Sequence, residues 1–312
     1  MKINKNYNKI LKTVINKGKT YTNHRRNTKR VQIPSYTFRH EMHKGFPLIS
    51  TREVDYNNVF SELLWFLRGD SHTRFLKENN NPIWDKDAKN WFNKDLGTNY
   101  GLKEYREITA NAGSDTGKSY PVQWRNYNGD TDQIDYIINS MFKDIMGSRI
   151  KLNAWNPSEL DKTALPPCHT GFQIIGVPLE NDNFGFELHW QQRSCDLFLG
   201  IPYNIASYAA LGVMLEKITG YKFLTLQGDL KCVHLYDNSI IETLDLLQRD
   251  TKAKKVDLLF DVTKVSYDIV EADNVKTYQN FDFTKVTLED FKLCNYEPQS
   301  KINVKMLEPT SI

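Results

Sequence analysis

The 312-residue sequence predicts an α+β fold. Three observations point to it. Runs of alternating apolar residues mark strands, mostly in the second half of the chain. Stretches with a helical apolar period are inserted between them. The two kinds of element do not alternate strictly, as they would in a parallel βα sheet. No internal repeat and no Pro-, Gly- or Ser-rich linker divides the sequence, so residues 1–312 read as one domain. A polar, glycine-bearing segment around 93–119 reads as a surface insertion.

Taken in order, Ile3, Tyr7, Ile10, Leu11, Val14 and Ile15 fall on one face of a first helix. The basic stretch 24–30 (HRRNTKR) follows. Val31, Ile33, Tyr36 and Phe38 then alternate around Pro34, which predicts an irregular strand. Val59, Phe60, Leu63, Leu64 and Leu67 form a buried helix face that Gly69 closes. Asp130 and Gln133 form a capping pair for a helix carrying Ile134, Ile137, Ile138, Met141, Phe142 and Ile145. Ile150, Leu152 and Ala154 alternate, as do Phe184, Phe186, Leu188 and Trp190, and NDNFG (181–185) is the hairpin turn between strands 170–176 and 184–190. An apolar helix over 205–218 ends at Gly220. Strands at 222–227 and 230–236, a helix near 238–249 and further β-rich sequence complete the chain.

Composition narrows the class. Hydrophobic residues make up 40% and charged residues 25%, which is globular. A net charge of +3 gives no reason to require a nucleic acid. No apolar run approaches the roughly 18 residues that span a bilayer, and the N-terminus lacks a signal-peptide core. Four scattered cysteines form neither a disulfide framework nor a metal pattern, so no metal is expected and a reducing, cytoplasmic setting is. The Lys- and Asn-rich text suits an AT-rich bacterium, or a phage and hence a host cytoplasm.

The chemistry concentrates between Leu165 and Ala209. Cys168 follows two prolines, which stiffen its approach, and precedes His169. A cysteine is more often a small buried hydrophobe than a nucleophile. A cation would favour the second role by lowering the thiol pKa from about 8.5, and Arg193 is the candidate. Cys195, Cys232 and Cys294 lack such surroundings and read as structural. Arg193 and Ser194 together offer a guanidinium fork and a hydroxyl that suit a phosphate. Asn204 either caps the apolar helix or reads a base edge with its paired donor and acceptor. Glu62 interrupts an apolar helix; it is either on the exposed side or buried with a raised pKa suited to proton transfer. His234 and Tyr236 share one strand face, where they could hold a sugar hydroxyl or simply make that face polar.

These residues together resemble the thymidylate synthase family, which includes deoxypyrimidine monophosphate hydroxymethylases. The resemblance extends through GFPLIST (45–51), SELLWFLRGDSH (61–72), NNNPIWD (79–85), YPVQWRNY (120–127), NAWNPSELDK (153–162), ALPPCH (164–169) and QRSCDLFLGIPYNIASYA (192–209), in order along most of the chain. It implies a large mixed sheet covered by helices, and a homodimer formed through that sheet with shared active sites. It implies reductive methylation of dUMP at C5 to dTMP, with 5,10-methylenetetrahydrofolate as donor of both the one-carbon unit and the hydride.

Residue by residue, the resemblance makes Cys168 the nucleophile at C6. Asn204 would hold the pyrimidine amide edge, with His169 nearby. Glu62 and Tyr120 would manage proton transfer. Arg25, Arg193 and Ser194 would bind the phosphate with Arg149 from the other subunit. His234 and Tyr236 would bind the 3′-hydroxyl. Ile83, Trp84, Leu165, Asp196, Gly200 and Tyr203 would line the folate site, and Arg52 would meet the folate's glutamate tail.

The sequence also departs from the family pattern. Ser148-Arg149 stands where the family usually has two arginines, Asp87 where a second tryptophan is common, and Lys231-Cys232 where Gly-Asp is usual. Arg26 or Arg30 could supply the missing cation. The segment after Thr51 reads REVD, less basic than usual, and the tail MLEPTSI is longer than the short apolar closing tail. Asp87 could admit water, which would turn the product into 5-hydroxymethyl-dUMP. Hence the alternative of a dUMP hydroxymethylase, and, from another class, a non-catalytic nucleotide- or RNA-binding relative.

Overall fold

A computed structural model of the chain describes residues 2–23, 28–272 and 275–304. Helix α1 (Lys2–Lys17) buries Ile3, Tyr7, Ile10, Leu11 and Val14 along one stripe. Strands β1 (Lys19–Asn23) and β2 (Thr28–Glu41) pair antiparallel. Helix α2 (Tyr56–Arg68) is capped by Asp55, whose carboxylate accepts from the Asn57 and Asn58 amides, and ends at Gly69 in the left-handed conformation. The helices α3 (Arg74–Glu78), α4 (Asp85–Leu96), α5 (Leu102–Ile108), α6 (Tyr120–Arg125) and α7 (Gln133–Lys143) follow. In the 93–119 segment, Tyr105 is buried with its hydroxyl 2.7 Å from Ser114 Oγ. Gly117 at the end of that segment bridges to Thr163, just ahead of the Cys168 turn.

The second half is dominated by strands: β3 (Lys151–Asn153), β4 (His169–Pro178), β5 (Phe184–Gln192), β6 (Cys195–Asp196) and, after α8 (Ile201–Thr219), β7 (Lys222–Tyr236). Helix α9 (Ile240–Gln248), strand β8 (Asp257–Phe260), the ribbon of β9 (Ser266–Ala272) with β10 (Val275–Asp282), and β11 (Phe291–Cys294) complete the order.

These elements make an α+β fold around a mixed seven-stranded sheet in the order β1-β2-β7-β5-β4-β3, with β6 beside β7. The β5–β7 and β6–β7 pairs are parallel and the others antiparallel. On one sheet face Phe172, Ile174, Phe186, Leu188 and Trp190 are fully buried. Helix α8, apolar nearly all round, packs on this face and brings its N-terminus to the site. Among the described residues no helix is long and apolar enough to cross a membrane.

Three sequence expectations change. The cap of α7 is Asp132, not Asp130: Asp132 Oδ1 accepts from Ile134 N and Asp135 N at 3.0 Å, whereas Asp130 bonds the Thr131 hydroxyl. The helix expected from 205 begins at Ile201, because Pro202 fits the first turn, where no intrahelical donor is needed. Strands expected at 222–227 and 230–236 are one strand, β7. Its irregularity falls instead at Cys232 (φ 46°). The β2 register passes from Ile33↔Val233 to Ser35↔Lys231, so Cys232 stands across from Pro34, which has no N–H to give the ladder.

Candidate active site

The order of strands β6, β7 and β2 brings distant parts of the sequence to one cavity of about 520 Å³. Cys168 stands on it at the end of the Pro166-Pro167 turn, immediately before β4. The turn is held from two sides. Arg193 Nε donates to Pro167 O at 2.7 Å and its Nη2 to Pro166 O at 2.8 Å, while Arg193 N donates to Cys168 O. The same guanidinium lies over the Trp155 ring, 4.9 Å from the centroid. From the other side, Tyr120 Oη accepts from Cys168 N at 2.6 Å and from His169 N at 3.3 Å. A phenol that accepts two amides keeps its own proton for another partner. Burial, and secondarily the neighbouring Cys168, push the Tyr120 pKa well above its ordinary value.

Glu62 is buried, not on the exposed side of α2. Its Oε1 accepts from Trp84 Nε1 at 2.7 Å. Burial raises its pKa to about 7, against the lowering effect of the Trp84 bond. Near neutrality both protonation states are therefore populated. His169 stacks on Tyr120, with centroids 4.2 Å apart, and its Nδ1 lies 2.8 Å from Tyr208 Oη. Burial lowers its pKa to about 3, so it stands as a neutral imidazole.

Asn204 lies in the first turn of α8 but does not cap it; the cap position is Gly200. The Asn204 Oδ1 accepts from Gln192 Nε2 at 3.1 Å, and Gln192 also bonds Ser194 O and Trp190 Nε1. Gln192 thus orients the amide, a role the sequence did not single out. Asp196 Oδ1 accepts from Phe198 N and Leu199 N, shaping the turn into α8. His234 Nδ1 is 2.6 Å from Cys232 O. A carbonyl only accepts, so Nδ1 carries a proton and donates to it. Tyr236 stands edge-on to that ring, at 4.9 Å.

Glu62, Tyr120, Cys168, His169, Arg193 and Ser194 all line the cavity, as do Asp196, Asn204, His234 and Tyr236. An apolar wall carries Ile83, Trp84, Leu165, Gly200 and Tyr203. Two expected residues, Arg52 and Arg149, do not join them. Arg52 is 4% exposed, with Nη2 on Phe198 O at 2.5 Å and its guanidinium over the Phe198 ring. Arg149 is exposed, just ahead of β3, and is not among the residues lining the cavity. Arg25, like Arg26 and the tail after Val304, lies outside the described residues. The cavity also takes in Arg30, Asp87, Gln192, Leu199, Cys232 and Val304. Cys232 had read as structural; its place on the wall follows from the left-handed kink opposite Pro34.

Comparison with known proteins gives a consistent result. The family model described as thymidylate synthase matches residues 5–308. A protein of Aster yellows witches'-broom phytoplasma (strain AYWB) named thymidylate synthase is 33% identical over 301 residues, covering 93% of this chain and 95% of the relative. A protein of Malacoplasma penetrans (strain HF-2) with the same name is 34% identical over 253 residues, covering 79% and 86%.

Proposed function

The chain belongs to the thymidylate synthase family, and from that premise we propose how its residues act. It is an enzyme of the thymidylate synthase type that methylates dUMP to dTMP; the hydroxymethyl product that Asp87 suggested is not favoured. The observation that carries the assignment of roles is the meeting of Cys168, Tyr120, Glu62, Arg193, Asn204 and His234 on one cavity.

The uracil C5 is a poor nucleophile, and adding a thiolate across the C5–C6 double bond changes that. The Cys168 sulfur bonds to C6, and the displaced π pair passes to C5 and O4. Arg193 and Tyr120 grip the Cys168 backbone from opposite sides, so the sulfur approaches from a fixed position. Asn204 presents an amide to the N3–H and O4 edge of uracil, and Gln192 keeps it from turning. Cytosine reverses that donor and acceptor pattern and would leave the amide mismatched. His234 Nε2 and the Tyr236 hydroxyl receive the 3′-hydroxyl. Arg193, Ser194 and Arg25, with Arg149 of the partner subunit, bind the phosphate.

The C5 proton must leave once the new carbon bond has formed. The Tyr120 hydroxyl and Glu62, through water, handle that proton and the one at O4. A carboxyl with a pKa of about 7 can both take and return it. The wall of Ile83, Trp84, Leu165 and Tyr203 suits a flat heterocycle, and Asp196 suits its N–H groups. These residues would hold 5,10-methylenetetrahydrofolate, which when bound supplies the one-carbon unit and the hydride. Trp84 and the apolar wall keep water from the exposed methylene stage, which is what yields methyl rather than hydroxymethyl.

The sheet face opposite the core supports a homodimer. Ile175 and Val177 of β4 remain partly exposed there, beside the Arg39–Glu187–His189 cluster of β2 and β5. Two copies meeting on this face would cover those apolar groups.

Incubation with dUMP and methylenetetrahydrofolate tests the reading. Chromatography should show dTMP, with dihydrofolate absorbance rising in step. Mass spectrometry should place a 5-fluoro-dUMP adduct on Cys168 in the presence of the folate. A hydroxymethylated product without dihydrofolate, or no adduct on Cys168, would refute it.

A further inference from the structure

Arg30 lines the cavity and is given no role in the reaction described above, although the sequence offers it, with Arg26, as a source of the missing cation. It stands on β2 directly across from Tyr236 of β7. Such cross-strand partners project to the same sheet face. Its guanidinium lies over the Tyr21 ring, 4.8 Å from the centroid, and its Nε donates to the Tyr21 hydroxyl. Tyr21 in turn donates to Gln32 Oε1 at 2.9 Å. The head of Arg30 is thus fixed through Nε alone, and its two terminal nitrogens remain as donors. No carboxylate among the described residues forms an ion pair with it.

The cavity's charge makes this guanidinium consequential. Among the described lining residues the only Lys or Arg side chains are Arg30 and Arg193, against the carboxyls of Glu62, Asp87 and Asp196. Arg193 already gives Nε and one Nη2 proton to the proline carbonyls. Arg193, partly committed in this way, is by itself a weak match for a phosphomonoester, which carries close to two negative charges, so a cation beyond Arg25 and Arg149 of the partner subunit strengthens the site. The register places β7, with His234 and Tyr236, between Arg30 on β2 and the Arg193-Ser194 segment that leads into β6. A nucleotide whose sugar sits on His234 and Tyr236 has a guanidinium on either side.

We propose that Arg30 is a phosphate-binding residue of the nucleotide site, held in place by Tyr21 and contributed by the same subunit as Cys168. The proposal rests on the dUMP reading, and it makes Arg30 a source of selectivity for the nucleotide over the nucleoside.

The test compares inhibition or dissociation constants for dUMP and deoxyuridine in the wild type, Arg30→Gln, Arg30→Lys and Tyr21→Phe. Loss of a charge-assisted contact corresponds to about 10- to 100-fold in affinity. Arg30→Gln should weaken dUMP by that factor and flatten its salt dependence, while deoxyuridine changes little. Arg30→Lys should recover part of the loss, and Tyr21→Phe should show a smaller loss of the same kind. Should Arg30→Gln fail to fold, Arg30→Lys and Tyr21→Phe still report the same ratio. Equal weakening of both ligands, or an undiminished preference for dUMP, would overturn the proposal. A wild type that traps 5-fluoro-dUMP on Cys168 while Arg30→Gln keeps the full preference refutes only Arg30. A wild type that neither traps it nor prefers dUMP refutes the functional reading as well.

Discussion

Trp84 Nε1 donates to Glu62 Oε1 across 2.7 Å, and this bond opposes the burial that lifts the carboxyl to a pKa of about 7. Trp84→Phe removes the donor and keeps an aromatic ring. The Glu62 pKa should then rise further, because the charged form loses its hydrogen bond. The limb of the kcat–pH profile governed by Glu62 should move to higher pH. A limb that stays in place would assign it to another group.

The same carboxyl makes stability depend on pH in a definite direction. Its folded pKa, about 7, is above the ordinary 4.5, so the folded state binds the proton more tightly. Stability therefore falls as pH rises from about 4.5 to about 7, and the penalty is complete above that. The gap corresponds to at most about 3 kcal/mol. Glu62→Gln should exceed the wild type in stability at pH 8 by up to that amount, and match it near pH 4.5, while losing turnover. Denaturant midpoints at the two pH values would check this; a pH-independent difference would mean that Glu62 is not the group responsible.

Gly228 on β7 faces Trp190, and a Cβ there would lie 2.4 Å from the indole. Trp190 stacks on Tyr208, with centroids 5.5 Å apart, and Tyr208 holds His169. Gly228→Ala should cost about 1–3 kcal/mol through overpacking. It should also lower kcat, since the displaced indole pushes the pair that positions His169. Stability and kcat left at wild-type values would show that the sheet yields at that point.

Sharing of sites between subunits is open to a mixing experiment. Cys168→Ala alone should abolish turnover while dUMP still binds, and Arg149→Ala alone should raise the KM for dUMP. Co-refolding the two variants should restore one site per mixed dimer with an intact cysteine and an intact partner arginine. If the mixture never exceeds Arg149→Ala alone at limiting dUMP, Arg149 does not cross the interface.

Most elements and most of the groups on the cavity were legible in the sequence. Apolar periods placed α1, α2 and α7 with their buried faces, because a helix face or strand face is a local pattern. The motifs around Cys168, Arg193 and His234 identified residues that turn out to share one wall. The remainder depends on neighbours distant in sequence. Whether Glu62 was exposed or buried turned on the packing of α2 against the core, and its pKa follows from that burial and from Trp84. The kink that brings Cys232 to the cavity comes from Pro34 on the adjacent strand. Arg52 turned inward to Phe198 O because a carbonyl and a ring 146 positions away meet it there. Arg30, which the sequence offered only alongside Arg26, was set on the cavity when β2 paired with β7 and placed it opposite Tyr236. Local pattern encodes which face of an element is buried, whereas charge placement and pKa depend on the partners that the sheet order brings across from it.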